Sequence, residues 1–456
     1  MLRYFGQSKN FLVHLVLFFG IFFYTLSIFK PLNQDEGVFI LAGKLLSLHQ
    51  LPYKDFFDHK PPGVYLLSMI FNHLPISIIT VRLTVLLTNL VICFSIFRLS
   101  NLLRNGTGLL AAAVWLYLST FYQGNYFLTE TPMVLFLILS LISYCTYLKS
   151  KAHYTIILCG IFLAIAIIFK QSAIINLFVM AIFLLQKKDF KALYFLFLGI
   201  AIPTVLLTLY LLFHNILNMA IEQIILLNLS SYPNENFLDV VLSSFGGTLK
   251  RTWPFWIMAF WSLVKNKTRL YFYAFAFFVI PLLFLLNRPY QHYWIQLLPF
   301  VAIGSAILLT ELKNQKKLLP HAIAISIIIA TSLINGIWSM QIYKKIDKPK
   351  YDDQVKIATK IRKNTDSALY TENQFIAYYY LASKLPVSKY LYLGEINKSY
   401  NAEEEVTQKI NSYGKIIIAW PTVEDLAYAQ KIEKNIKQTM SLEFSNEYLS
   451  IYISAK

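Results

Sequence analysis

PLNQDEGVFILAGKLLSLHQLPYKDFFDHKPPG, Pro31 to Gly63, lies between two long apolar runs and concentrates ionisable groups. Asp35 and Glu36 stand side by side near its start, and Asp55, Asp58, His59 and Lys60 crowd its end. The run before it, FLVHLVLFFGIFFYTLSIF (11–29), is long enough to cross a bilayer. Charges just past a membrane exit escape the cost of mid-bilayer burial and can meet a lipid phosphate or a sugar hydroxyl. On residue types alone, a solvated juxtamembrane loop explains the segment equally well. Its shape favours a site. Val38 to Leu51 carries Phe39, Leu41, Leu45, Leu46 and Leu48 at helical spacing, which predicts an amphipathic helix lying on the membrane surface. Pro61-Pro62-Gly63 then turns the chain, so that two fixed elements hold the charged groups facing one another.

The composition around this segment is that of a polytopic membrane protein. Only 14% of the 456 residues are charged and 57% are hydrophobic, whereas soluble domains carry about 25% charged residues. The 30 Tyr and 36 Phe suit helices packed in lipid and anchored at its interfaces. Cys93, Cys145 and Cys159 all fall inside apolar runs and read as small buried hydrophobes, not as a disulfide framework or a metal site. The first run is too long for a signal h-region and lacks a small-residue cleavage site, so it is kept as a span.

Spans are expected at about 11–29, 76–97, 107–124, 131–148, 154–169, 172–186, 192–213, 253–264, 270–287, 293–310 and 318–339. Alternating sides from a cytoplasmic N-terminus puts Arg3, Lys9, Arg98, Arg104, Lys149, Lys151, Lys187, Lys188, Lys191, Lys265, Lys267, Arg269, Lys313, Lys316 and Lys317 on one side, accompanied there by Asp189 and Glu311. Asp35, Glu36, Asp55, Asp58, Glu130, Glu222, Glu235 and Asp239 fall on the other. This is the positive-inside pattern, so the net charge of +17 reports topology and gives no support to nucleic-acid binding. The acidic first loop (31–75) then faces away from the cytoplasm. So do Glu130 in LTETP, the polar turn Lys170-Gln171, the RPYQH segment from Arg288 to His292, and a larger loop at about 214–252. After Tyr343 the chain alternates polar helices with short β-type runs at 367–371, 389–394, 415–420 and 441–454, the mark of a small α/β domain over 344–456 on the outer side. Asn228-Leu-Ser230 and Asn397-Lys-Ser399 match the glycosylation sequon, which chance explains as well.

An Asp-Glu-Gly just after the first span, then DFFDHKPPG, then an acid in a T-E-T-P setting, resembles the family 39 glycosyltransferases. These belong to the C-type membrane glycosyltransferases, with protein O-mannosyltransferases and bacterial aminoarabinose transferases as relatives. Phe169-Lys170-Gln171 and RPYQHYWIQLLP are similar to later landmarks of that group. The resemblance implies a polytopic helical domain over 1–343 of about 11 spans in the C-type architecture, followed by the extracytoplasmic α/β domain. It also implies transfer of one sugar from a polyprenyl phosphate to a lipid, glycan or protein acceptor at the outer face of the cell membrane. Asp35 would be the catalytic base or would orient the acceptor. The chain departs from the aminoarabinose transferases at Asp58-His59-Lys60, where those carry an acid directly before Lys-Pro-Pro, so either Asp58 or His59 inherits that role.

The residue chemistry is consistent with this. Transfer from a polyprenyl phosphate needs a base for the acceptor hydroxyl and cations for the departing phosphate. Asp35, with Glu36 as its rival and Glu130 as partner, supplies the carboxylates; Lys60, Lys170 and Arg288 supply the cations. Gln171, Tyr290 and His292 complete the candidate substrate-binding set with Asp58 and His59. A divalent metal is the one cofactor left open, with His59 and His292 as imidazoles able to ligate it beside the carboxylates. Lys170 as a snorkelling anchor and Arg288 as a helix-end charge are the alternative readings. A lipid-linked glycan ligase or polymerase shares this composition. A transporter would instead show inverted repeats and mid-membrane charges.

Overall fold

Backbone polar groups inside lipid must be satisfied within the chain, which favours helices for apolar runs of this length. In the computed structural model every run read as a span holds a helix. The structure describes residues 11–230, 239, 241–265, 269–283, 290–315, 317–365, 367–371, 375–391, 402–413, 416–421, 427–445 and 449–453. Ile78–Leu103, Glu130–Ser150, Phe190–Phe213, Gln291–Asn314 and Leu318–Lys363 are long and apolar enough to cross a membrane; Phe11–Ser27, Gly108–Tyr122, His153–Phe169, Gln171–Gln186, Leu217–Leu229 and Leu270–Pro281 are shorter apolar helices. Phe94, Leu206 and Phe213 stand largely exposed on such helices, a surface that lipid covers without penalty. The chain is a multi-pass membrane protein. Two helices depart from the sequence expectation. The span expected at 253–264 is the longer helix Gly246–Lys265, and Leu217–Leu229 adds an apolar helix within the expected outer loop.

The chain divides into two compact units. The first comprises Met1–Ile28, Arg82–Leu209 and Pro233–Lys344. Here Phe11–Ser27 packs on Gly108–Ser119 and Leu318–Ile342, while Leu298–Asn314 packs on Gly108–Ser119 and Gly246–Lys265. Small residues set how closely such helices approach. A Cβ on Gly160 would lie 2.2 Å from the Leu196 carbonyl oxygen, and one on Gly199 would lie 2.1 Å from that of Ile157. His153–Phe169 and Phe190–Phe213 therefore meet backbone to backbone, and only glycine fits. Side-chain bonds to carbonyls on other helices, Asn176 Nδ2 to Phe277 (2.7 Å) and Ser305 Oγ to Phe255 (2.8 Å), hold the interior in register.

The second unit comprises Phe29–Val81, Tyr210–Tyr232 and Lys345–Lys456. Its mixed sheet holds β1 (Ala368–Thr371), β2 (Ile416–Pro421), β3 (Ser441–Ser445) and β4 (Leu449–Ile453) in the order β1-β2-β4-β3. β1 and β2 run parallel with Leu369 opposite Ile417; β2–β4 and β3–β4 are antiparallel. The strand expected at 389–394 is, within the described residues, a lone bridge between Tyr390 and Phe57. Ile416, Ile418 and Tyr452 from the sheet form one apolar core with Val406, Ile410, Ile432 and Ile436 from its helices. Phe57 of the first loop and Leu227 belong to the same core. The Phe57 N–H also donates to the Lys389 carbonyl at 2.9 Å.

This packing corrects the surface-helix expectation. The segment forms the helix Gln34–Ser47, and Glu36 through Gly43 are all buried. One flank meets Gly63–Ser68 and Met69–His73, and another meets Ala377–Leu381. A Cβ on Gly37 would fall 2.5 Å from the Ala377 backbone nitrogen. The helix is an internal strut of the unit. Helical spacing identified the face that packs on its neighbours in sequence, but the cover on the opposite face comes from residues some three hundred positions away.

Candidate active site

Within the second unit, the first loop begins as a capped helix. Asn33 Oδ1 accepts from the Glu36 N–H at 2.9 Å, and Glu36 Oε2 accepts from the Asn33 N–H at 3.0 Å. This reciprocal capping box satisfies two donors that the first helical turn would leave orphaned. Glu36 is wholly buried and engaged in that structural role. Its neighbour Asp35 points elsewhere on the same turn and stays half-buried, at a helix N-terminus that favours a carboxylate. Upstream, both polar groups of the Leu32 backbone are bonded to the Gln354 amide, at 2.9 and 3.0 Å.

The end of the loop is a tight corner built on polar side chains. Asp58 is 1% exposed; its Oδ1 accepts from the His59 N–H at 2.7 Å and lies 3.5 Å from His59 Nδ1. Its Oδ2 accepts from the Tyr65 hydroxyl at 2.8 Å. Tyr65 and Tyr53 both direct their hydroxyls at the Lys60 carbonyl, at 3.0 and 2.9 Å. From the helical segment 217–230, Asn228 Nδ2 donates to the His59 carbonyl (2.9 Å) and Gln223 Nε2 to the Tyr53 carbonyl (2.7 Å). That segment carries a π turn over Glu222–Leu226, a local irregularity common at functional sites. Tyr53 has φ +70°, a left-handed conformation that costs a bulky residue about 1–3 kcal/mol. Burial, and then the charge of Asp58, pushes its phenol well above the usual tyrosine range, so it remains a proton donor. The Asn228 amide, buried and engaged as above, has no room for a glycan; Asn397 lies outside the described residues.

Within the first unit, three separate segments bring charge together at helix ends. Glu130 opens the helix Glu130–Ser150 and is 4% exposed. Lys170, in extended conformation between two helices and 5% exposed, donates from Nζ to Glu130 Oε1. The same ammonium stands 3.4 Å from the centre of the Tyr293 ring, a cation–π contact. Glu130 Oε2 accepts from the Thr129 hydroxyl at 2.9 Å, and His292 Nε2 lies 3.5 Å from Oε1. His292 Nδ1 pairs with Gln123 Oε1 at 2.9 Å. Gln123 sits at φ +60°, where the helix of Gly108–Ser119 unwinds, and Asn89 holds the next carbonyl, that of Gly124, at 2.8 Å. Lys170 thus points inward at a carboxylate and does not snorkel to an interface. Beside the pair in sequence, Thr131 Oγ1, Gln171 Oε1 and Ser172 Oγ are buried without a hydrogen-bond partner among the described residues.

Glu130 is therefore in reach of both Lys170 and His292, and Tyr290 stacks on His292 at 5.6 Å. Asp58, His59 and Lys60 share the other corner. Arg288 lies outside the described residues. Among the described residues no cluster of three or more His, Cys, Asp or Glu side chains forms a metal site. Sequence reasoning gave no site role to Gln123, Tyr53, Tyr65 or Gln223, took Tyr293 only as part of a landmark segment, and read Asn228 only as a sequon. The Q-G-N run at 123–125, polar at the end of an apolar helix, was the one local signal for the first of them.

Residues 59–212 match the family model described as dolichyl-phosphate-mannose-protein mannosyltransferase. No curated protein matches the sequence. Among solved structures, ArnT from Cupriavidus metallidurans bound to undecaprenyl phosphate is similar over 98% of this chain and 98% of its own, with a TM-score of 0.69 and 12% identity. Its apo state gives 95%, 96%, 0.66 and 11%. The oligosaccharyltransferase of Archaeoglobus fulgidus in its apo form is similar over 90% of this chain and 70% of its own, with a TM-score of 0.51 and 11% identity. At such identities the likeness is one of fold.

Proposed function

We propose that this chain is a membrane glycosyltransferase of the kind the matched dolichyl-phosphate-mannose-protein mannosyltransferase model describes, and that it moves one sugar from a polyprenyl phosphate to an acceptor hydroxyl at the extracytoplasmic face. The observation that carries the reading is the buried Lys170 ammonium, held between Glu130 and the Tyr293 ring at the ends of apolar helices. A buried charge is expensive to maintain unless it is paired, as Lys170 is, and a preorganised ammonium in a dry setting stabilises an anion far more than one in water. In the transfer, the acceptor oxygen bonds to the anomeric carbon as the bond from that carbon to the phosphate oxygen breaks. The polyprenyl phosphate leaves with the electron pair, and the acceptor proton passes to a carboxylate.

Lys170 stabilises the charge that develops on the leaving phosphate, with Glu130 fixing its position. Lys60 and Arg288 are further phosphate cations. Asp35 takes the acceptor proton, because the other carboxylate of its turn, Glu36, is engaged in the cap. Thr131, Gln171 and Ser172 offer polar atoms to sugar hydroxyls. The outward orientation rests on the charge split between the loops, and the acceptor class is a hydroxyl of a lipid, glycan or protein. The test is turnover by full-length protein in proteoliposomes supplied with synthetic polyprenyl-phosphate sugars and membrane fractions as acceptor source. Release of polyprenyl phosphate that depends on Lys170 supports the function. A Lys170→Met protein that is as active as the parent, or no turnover with any donor in a panel of hexosyl and pentosyl phosphates, overturns it.

A further inference from the structure

Lys60 is followed by Pro61-Pro62, and a residue before proline is confined to extended backbone. Its surroundings fix it much further. On its N-terminal side the His59 N–H is bonded to Asp58 Oδ1 and the His59 carbonyl to Asn228 Nδ2. On its C-terminal side the Lys60 carbonyl faces two phenols, Tyr53 and Tyr65. Proton counting orders the network. Each phenol has one proton to give. Tyr65 has two acceptors, the Asp58 carboxylate at 2.8 Å and the Lys60 carbonyl at 3.0 Å, and a charged acceptor makes the stronger bond. The Tyr65 proton thus belongs to Asp58, and that of Tyr53 serves Lys60. Asp58, Tyr53 and Tyr65 are all at most 4% exposed, so water does not compete for these bonds. Tyr53 is held in a left-handed conformation that glycine would adopt without strain, with its ring buried and its hydroxyl on the Lys60 carbonyl.

We infer that Tyr53 and Tyr65 are positioning residues for the donor phosphate, aiming the Lys60 ammonium through its backbone carbonyl and through Asp58. The inference rests on the reading of Lys60 as a phosphate cation. It also assigns Asp58 to the corner itself, where its carboxylate holds the His59 N–H and the Tyr65 hydroxyl. The phenols touch no substrate; they remove the freedom that Lys60 would otherwise lose on binding.

The experiment measures donor KM, kcat and thermal midpoint for the full-length protein and its Tyr65→Phe, Tyr53→Phe, Lys60→Met and Tyr65→Phe/Lys60→Met variants. Phenylalanine keeps each ring in place, and the thermal midpoint reports any loss of fold. The expected result is a donor KM raised about tenfold in each Phe variant with kcat within about twofold, one lost hydrogen bond being worth roughly that factor. The double variant should be no worse than Lys60→Met alone, because a residue acting through Lys60 has nothing left to position. If Tyr65→Phe imposes its full factor on top of Lys60→Met, or leaves KM unchanged, the positioning role is wrong while the Lys60 reading stands. If Lys60→Met itself leaves donor KM unchanged, the Lys60 reading falls and the inference with it.

Discussion

Replacing Lys170 by methionine removes the ammonium and keeps an apolar stem of similar length over Tyr293. Glu130, with 5% of its side chain exposed, then keeps Thr129 Oγ1 at 2.9 Å and His292 Nε2 at 3.5 Å among its partners. Stranding one partner of a buried ion pair costs about 3–5 kcal/mol. Glu130 stands at a helix N-terminus, where the backbone supports a carboxylate by about 0.3–1 kcal/mol, so the loss should fall near the lower end, about 3 kcal/mol. Removing both charges behaves differently. In Lys170→Met/Glu130→Gln no buried charge is stranded, and the loss should shrink to about 1 kcal/mol, because apolar or neutral replacement of a whole buried pair is often near neutral. The two single changes should therefore be non-additive by about 2 kcal/mol or more. Denaturant unfolding in mild detergent, followed by tryptophan fluorescence, reads these differences, with donor turnover measured on the same preparations. The double variant should recover stability without recovering turnover. Equal stability of the single and double variants would show that Glu130 does not depend on Lys170. Restored turnover in the double variant would show that Lys170 serves the fold alone.

Asp35→Asn should lower turnover by about 10²–10⁴-fold while costing no more than about 1 kcal/mol of stability, the helix N-terminus contribution of its charge. Glu36→Gln should instead reduce stability by about 0.5–2 kcal/mol through the weakened capping box, with turnover per folded molecule nearly intact; the opposite pattern on purified protein would reverse the assignment. Phe57→Ala should cost about 3–5 kcal/mol and speed proteolysis within 345–456, since Phe57 shares its core with the C-terminal sheet. The Tyr53 phenol is raised by burial, so its contribution to stability is fully present below about pH 10 and is lost as pH rises through the folded value. Stability measured from pH 9 to 11 should fall less steeply in Tyr53→Phe. For orientation, a cysteine at exposed Lys54 should react with an impermeant reagent on intact cells while one at exposed Asn314 should not. The reverse labelling would invert the proposed topology.

Much of this protein is written locally. The span-length apolar runs dictate helices because lipid offers no partner to a bare peptide group, and the loop charges carry the sidedness argument without any tertiary contact. The segment of interest was also legible, since Asp35, Asp58, Lys60, Glu130, Lys170 and His292 are ionisable groups at the ends of apolar runs. Even the capping role of Glu36 had a local signature in Asn33-Gln-Asp-Glu36, a capping-box spacing readable without coordinates. What the sequence could not decide is which group meets which. Lys170 is a snorkelling anchor or a buried cation depending on whether Glu130, forty residues earlier, faces it, and periodicity is silent on such pairs. The helix at Gln34–Ser47 has the spacing of a surface helix and becomes a buried strut because Gly37 admits the backbone of Ala377. Tyr53 and Tyr65 looked like two of 30 tyrosines until the corner placed both hydroxyls on one carbonyl. Propensity and span length are properties of neighbours along the chain. Hydrogen-bond partners and burial are properties of neighbours in space, whether the partner is forty residues away, as Glu130 is from Lys170, or in a distant segment, as Ala377 is from Gly37.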